Sequence, residues 1–221
     1  MLPVIILMAT GCFTAAPVRT TGYGAPGRLQ DGQMEFAVGA TSFGSGGASL
    51  GLAVTDWMSV ELTSDFGYAS WAMGGLALRF NPVRPDGEGA ALDVELGAGL
   101  GAGYLNSGLD VCIEGACSSS SDPNWQDVLS YGGYAGTGFG WWVLDWLALY
   151  TRARAGFNGS DEVSYAVFAE ARLGIEFRFE KGAYLYIAGG GYLAFIEQDM
   201  GHAHKGPILE IGLSVPFPVM E

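Results

Sequence analysis

Between Glu162 and Phe179 the chain alternates without a break. Val163, Tyr165, Val167, Ala169, Ala171, Leu173, Ile175, Phe177 and Phe179 take the odd positions and all are apolar. The even positions include Glu162, Ser164, Glu170, Arg172, Glu176 and Arg178. Successive side chains of a strand point to opposite faces, so a period of two held over this length specifies a strand. Wound as a helix, the same residues would scatter charge and apolar surface around the whole circumference. A strand of a soluble sheet usually has about 5–6 residues, and this run is roughly three times longer. Its polar face also mixes both signs of charge with small residues, as the lumen wall of a closed membrane barrel does.

Composition agrees with that reading. A chain of 221 residues suits one domain. It holds 36 glycines and only 15% charged residues, yet its aromatics are plentiful and its apolar residues patterned, which disorder does not need. No apolar run beyond the N-terminus approaches the roughly 20 residues of a spanning helix. Strands that cross lipid must close into a barrel, because an open edge leaves backbone groups unsatisfied. The net charge of −13 argues against a nucleic-acid partner, since phosphate binding needs a basic surface. Of the ten basic residues, Arg79, Arg152, Arg154, Arg172 and Arg178 fall on inward positions of predicted strands.

In chain order, residues 1–11 form a short apolar segment that ends Ala9-Thr10-Gly11 before Cys12. It resembles the end of a bacterial lipoprotein signal peptide, which makes Cys12 the candidate lipidation site; the alternative is ordinary export, with Thr14-Ala15-Ala16 offering another cleavage point. Residues 12–32 turn to Pro, Gly, Thr and Ala and read as a flexible tether. Alternation then predicts strands at Gln33–Phe43, Ala48–Val54, Met58–Tyr68, Trp71–Phe80, Ala90–Tyr104, Val128–Val143, Trp146–Phe157, Glu162–Phe179 and Ala183–Ile196. A tenth strand runs through Leu209, Ile211, Leu213, Val215 and Phe217. The barrel thus covers residues 33–217, with 218–221 as a tail. The faces of Ala183–Ile196 are ambiguous, because tyrosines alternate there with aliphatic residues. The inward glycines Gly97, Gly99, Gly101 and Gly103 leave room for a bulky neighbour or for water.

The expected fold is therefore all-β: a closed antiparallel up-and-down transmembrane barrel of ten strands, give or take a hairpin. An even count returns both ends of the chain to one side, the periplasm if the barrel lies in an outer membrane. The brief turns on that side include Thr55-Asp56-Trp57 and Leu144-Asp145-Trp146. Trp57, Trp71, Trp141, Trp142, Trp146, Phe179 and Tyr184 sit near strand ends, where aromatic girdles form.

At the last strand, Glu210, Gly212, Val215 and Phe217 follow the pattern polar, spacer, glycine, two spacers, hydrophobic, spacer, aromatic. On this pattern and the architecture, the chain resembles the small outer-membrane β-barrel proteins of Gram-negative bacteria, broadly OmpA- or OmpW-like. Phe217 departs from the pattern in not being the terminal residue. The resemblance implies outer-membrane lipids and the barrel-insertion machinery as partners, a monomer, and no cofactor.

Three groups of residues could carry function. The inward carboxylates Glu35, Glu61, Asp65, Asp93, Glu95, Glu170, Glu176 and Glu210, with the five arginines, should pair in a narrow lumen, because an isolated buried charge costs several kcal/mol. They form either a structural salt-bridge plug or the lining of a narrow small-solute pore. Cys112 and Cys117 lie in a long loop, where cysteine parity in an exported chain favours a disulfide. Two thiols alone are too few for a metal site. Asp199, His202 and His204 in the last outer loop offer acid–base groups for the alternative, a barrel enzyme acting on peptide or lipid. The non-catalytic reading is preferred, since no phosphate loop, dinucleotide fingerprint or zinc-protease helix motif is present.

Overall fold

A computed structural model describes residues 21, 24–27, 31–42, 45–67, 71–84, 88–106, 125–160, 166–179, 182–196 and 203–218. Ten strands follow one another: β1 (Gln33–Thr41), β2 (Ser45–Thr55), β3 (Met58–Gly67), β4 (Trp71–Val83), β5 (Gly89–Asn106), β6 (Trp125–Leu144), β7 (Leu147–Ser160), β8 (Ala166–Arg178), β9 (Tyr184–Ile196) and β10 (Ala203–Pro218). Each pairs antiparallel with its sequence neighbours, and β1 pairs with β10, so the sheet closes into a barrel. No helix among the described residues is long and apolar enough to cross a membrane, which does not bear on a barrel.

The register fixes the barrel's dimensions. From Met34, directly opposed residues run Leu52, Val60, Leu78, Leu96, Ala135, Ala155, Ala169 and Leu193, and arrive on β10 at Lys205. Met34 itself pairs with Phe217, so one circuit climbs 12 residues. With ordinary strand spacing and rise, that stagger tilts ten strands by about 40° and sets a backbone radius of about 10 Å. Eight-stranded barrels are just filled by their own side chains. This one has space to spare.

The sequence faces hold. Leu173 is 71% exposed and Leu100 67%, along with Leu62, Leu209, Val167 and most other outward apolar residues. The residues between them point inward and are buried or half-buried. A continuous apolar exterior of this extent does not suit water. The two Asp-Trp turns are built alike. The carbonyl of Trp57 accepts from Asn81 N and that of Trp146 from Arg178 N, both at 2.8 Å. The indoles stack on Phe80 and Phe177 at 5.9 and 6.5 Å.

Several expectations change. Strand β9 presents Tyr184, Tyr186 and Ala188 to the lumen. Trp142 and Tyr184 are buried inside, edge to face at 6.2 Å, and do not join the outer girdle. Ala203–Lys205 is strand, opposite Phe195, Ala194 and Leu193, so His204 belongs to β10 and not to a loop. Pro218 closes β10 and is not tail. The largest change concerns the tether: Thr21 and Gly24–Pro26 are buried inside the barrel. Composition marked a stretch without regular structure, and its backbone hydrogen bonds go to lumen side chains instead of water. Residues 1–11, Cys12, Cys112, Cys117, Asp199 and His202 lie outside the described residues, as do residues 162–165 of the alternating stretch.

Candidate functional site

Pleating sends every second residue into the lumen, and the sequence puts charge at many of those positions. Seven carboxylates (Glu35, Glu61, Asp65, Asp93, Glu95, Glu176, Glu210) and four arginines (Arg79, Arg152, Arg154, Arg172) are buried there among the described residues. Glu170 is half-buried. Arg178 is exposed at the end of β8, its guanidinium 5.8 Å from the centre of the Tyr184 ring.

Nine of these charges form one chain of contacts round the inner wall. Arg79 meets Glu61 at 2.9 Å, Glu95 at 3.4 Å and Asp93 at 3.5 Å. Arg152 reaches Asp93 at 2.7 Å and Glu95 at 3.3 Å. Arg154 lies 3.9 Å from Glu95 and 3.4 Å from Glu170. Arg172 takes Glu170 at 2.7 Å and also pairs with Glu210. The path runs from β3 through β4, β5, β7 and β8 to β10. Arg152 and Arg172 are directly opposed across β7 and β8. Like charges so placed repel, and each is drawn away from the other by its own carboxylates.

Six large inward side chains share a second pattern: a residue directly opposed on a neighbouring strand is glycine. Tyr134 faces Gly97, Arg152 faces Gly138, Arg154 faces Gly136, Tyr150 faces Gly174, Tyr186 faces Gly212 and Tyr192 faces Gly206. A Cβ on Gly97, Gly174 or Gly212 would overlap the facing tyrosine. Of the two uses open to lumen glycines, these seat a bulky neighbour. Tyr134 lies across the charges, its hydroxyl donating to Glu95 and its ring 5.5 Å from the Arg154 guanidinium.

The space left over holds the segment before β1. Arg152 Nε donates to the carbonyl of Gly24 at 2.7 Å, and Arg154 Nη1 to that of Thr21 at 2.9 Å. The N–H of Ala25 donates to Glu176 Oε2 at 2.7 Å. Ala25 clusters with Trp142, Ala148, Tyr150, Tyr184, Tyr186 and Ala188. Pairing arginines with carboxylates was legible in the alternation; this occupant was not. The only hint was a Gly-Ala-Pro-Gly run in an otherwise featureless stretch.

An apolar outside, an ionised inside and a closed wall define a membrane-spanning β-barrel. No protein-family model matches the chain, and no curated protein matches it in sequence. Among solved structures it is similar to the N-terminal β-barrel domain of Pseudomonas aeruginosa OprF, at 13% identity and a TM-score of 0.43, over 86% of this chain and 100% of that one. It is also similar to OmpT, an outer membrane protein of Vibrio cholerae, at 10% identity and a TM-score of 0.32, over 84% of this chain and 96% of that one.

Proposed function

We propose that the protein is a non-catalytic outer-membrane barrel with a structural role in the envelope, its lumen closed to solutes. One observation carries the reading: the ion-pair chain from Glu61 to Glu210 runs round the lumen wall from β3 to β10, with Gly24–Pro26 held inside it. An ion moving along the axis would have to break contacts between buried groups. Breaking such a pair from one side costs about 3–5 kcal/mol. The end bearing the short turns and the ends of β1 and β10 faces the periplasm in this reading. Glu210, Gly212, Val215 and Phe217 serve as the signal for the insertion machinery.

Planar-bilayer recording tests it. The unmutated protein gives little current, and Arg172→Ala raises it. The current that appears favours cations, because seven buried carboxylates outnumber the remaining buried arginines. Steady conductance in the unmutated protein would reject a closed lumen.

A further inference from the structure

We propose that the lumen is a peptide-binding site, and that its resident ligand is the Gly24-Ala25-Pro26-Gly27 run of this same chain, held as a detachable insert. The inference goes beyond the closed-barrel reading and does not require the lumen to be impermeable.

The wall treats the segment as a receptor treats a peptide. Three buried ionised side chains contact its main chain: Arg154 at the Thr21 carbonyl, Arg152 at the Gly24 carbonyl and Glu176 at the Ala25 N–H. Donors meet carbonyls and the acceptor meets an N–H, so the site reads the direction of the peptide. A reversed chain would set N–H against guanidinium and C=O against carboxylate. Charge-assisted bonds of this kind are stronger and more directional than neutral ones.

Fit supplies the selectivity. Ala25 is 1% exposed and belongs to a buried cluster with Trp142, Tyr150, Tyr184 and Tyr186, so a larger side chain would have to displace its neighbours. Pro26 is fully buried against Gly140, where an added Cβ would come within 3.0 Å of its ring. Gly24 and Gly27 have φ of 75° and 81°, a left-handed backbone that other residues rarely adopt. The ligand class is therefore a kinked peptide with glycine at both bends and alanine then proline between them.

The insert is separable because the wall is complete without it. All ten strands close on one another, and no strand ladder ties the segment to the wall among the described residues. It also has a direction relative to the wall. Thr21 contacts Arg154, Gly24 contacts Arg152 and Pro26 packs on Gly140 opposite Tyr150, an order antiparallel to β7.

The test uses the full chain carrying Ala25→Arg, in detergent, with folding checked by the heat-dependent gel shift of barrels. The substitution cannot enter the aromatic enclosure, so the tethered copy leaves and the site is vacated. A fluorescein-labelled synthetic peptide with the sequence of residues 20–28 then binds this variant saturably. It binds the unsubstituted protein about 10²-fold more weakly, because a tethered copy competes at an effective concentration of about millimolar. The same peptide with Gly24→Val does not bind. Equal binding to both proteins, no binding to the folded variant, or equal binding of the Gly24→Val peptide would overturn the proposal. Should Ala25→Arg fail to fold, a protease site at residues 28–30 is cut after folding. Exchange of the freed segment for labelled peptide then supports the site, and failure to exchange overturns it. A conducting wild-type barrel that still binds peptide would defeat only the closed-lumen reading.

Discussion

Replacing Arg172 by methionine keeps the bulk of a long side chain and removes the cation that joins β8 to β10. Arg172 is 3% exposed, its partner Glu210 1% and Glu170 11%. Taking one member from a buried pair costs about 3–5 kcal/mol, chiefly because the other charge stays in a low-dielectric site. Glu170 keeps Arg154 at 3.4 Å, so most of the cost falls on Glu210. The converse change, Glu210→Gln, is milder. Arg172 then retains Glu170 at 2.7 Å, and the loss is about 1.5–3 kcal/mol, that of a hydrogen bond to a charged group. The double variant should fall short of the sum by about 1–3 kcal/mol, since the two side chains are in contact. Urea titration in lipid vesicles, followed by tryptophan fluorescence, measures all three through the midpoint and slope. The reasoning fails if Arg172→Met costs under about 1 kcal/mol, or if the two single changes add.

Four further variants test the wall from its two faces. Gly212→Val forces Tyr186 off its seat and should cost about 1–3 kcal/mol in the same titration, partly recovered by Tyr186→Ala. Gly74→Ala meets nothing within 4 Å and should change stability by less than about 0.5 kcal/mol. Leu173→Arg, at the middle of β8 on the exposed face, should cost about 2–4 kcal/mol in vesicles, whereas Trp57→Arg at the turn should cost no more than about 1. Equal penalties at both depths would count against lipid on that face.

Alternation made the barrel legible because lipid and lumen impose opposite demands on successive residues. Wherever charge sat opposite leucine or phenylalanine, as at Glu170 and Leu173 or Glu210 and Leu209, the face followed directly. It failed in β9, where Tyr184 and Tyr186 alternate with Leu185 and Ile187 and neither side is charged. The facing residues tell which side is inward: Tyr186 lies opposite Glu176 on β8 and Gly212 on β10, and Ala188 opposite Glu210. Trp142 was misread for a related reason. An aromatic near a strand end suits a girdle, yet Val143 and Trp141 already point outward, and parity puts Trp142 inside. The occupant of the lumen left no periodic trace at all. Its Gly-Ala-Pro-Gly run reads as an ordinary turn, and the groups that hold its main chain lie far off in sequence, at Arg152, Arg154 and Glu176.

The radius explains why glycine and long side chains come in facing pairs. With walls about 10 Å from the axis, medium side chains on every strand would leave the centre empty and the charges out of reach of each other. Setting a glycine opposite most of these arginines and tyrosines lets the long residue lean across. The ion pairs then bridge over a strand. Arg152 on β7 meets Asp93 on β5 across Gly138 of β6, where a Cβ would stand 2.6 Å from the Asp93 carboxylate. Arg172 on β8 meets Glu210 on β10 across β9, where it directly faces Gly190. Mutual repulsion turns the two opposed arginines in these different directions. The guanidinium of Arg152 still spares its Nε for the carbonyl of Gly24, so the contacts that hold the wall together also aim the donor at the insert.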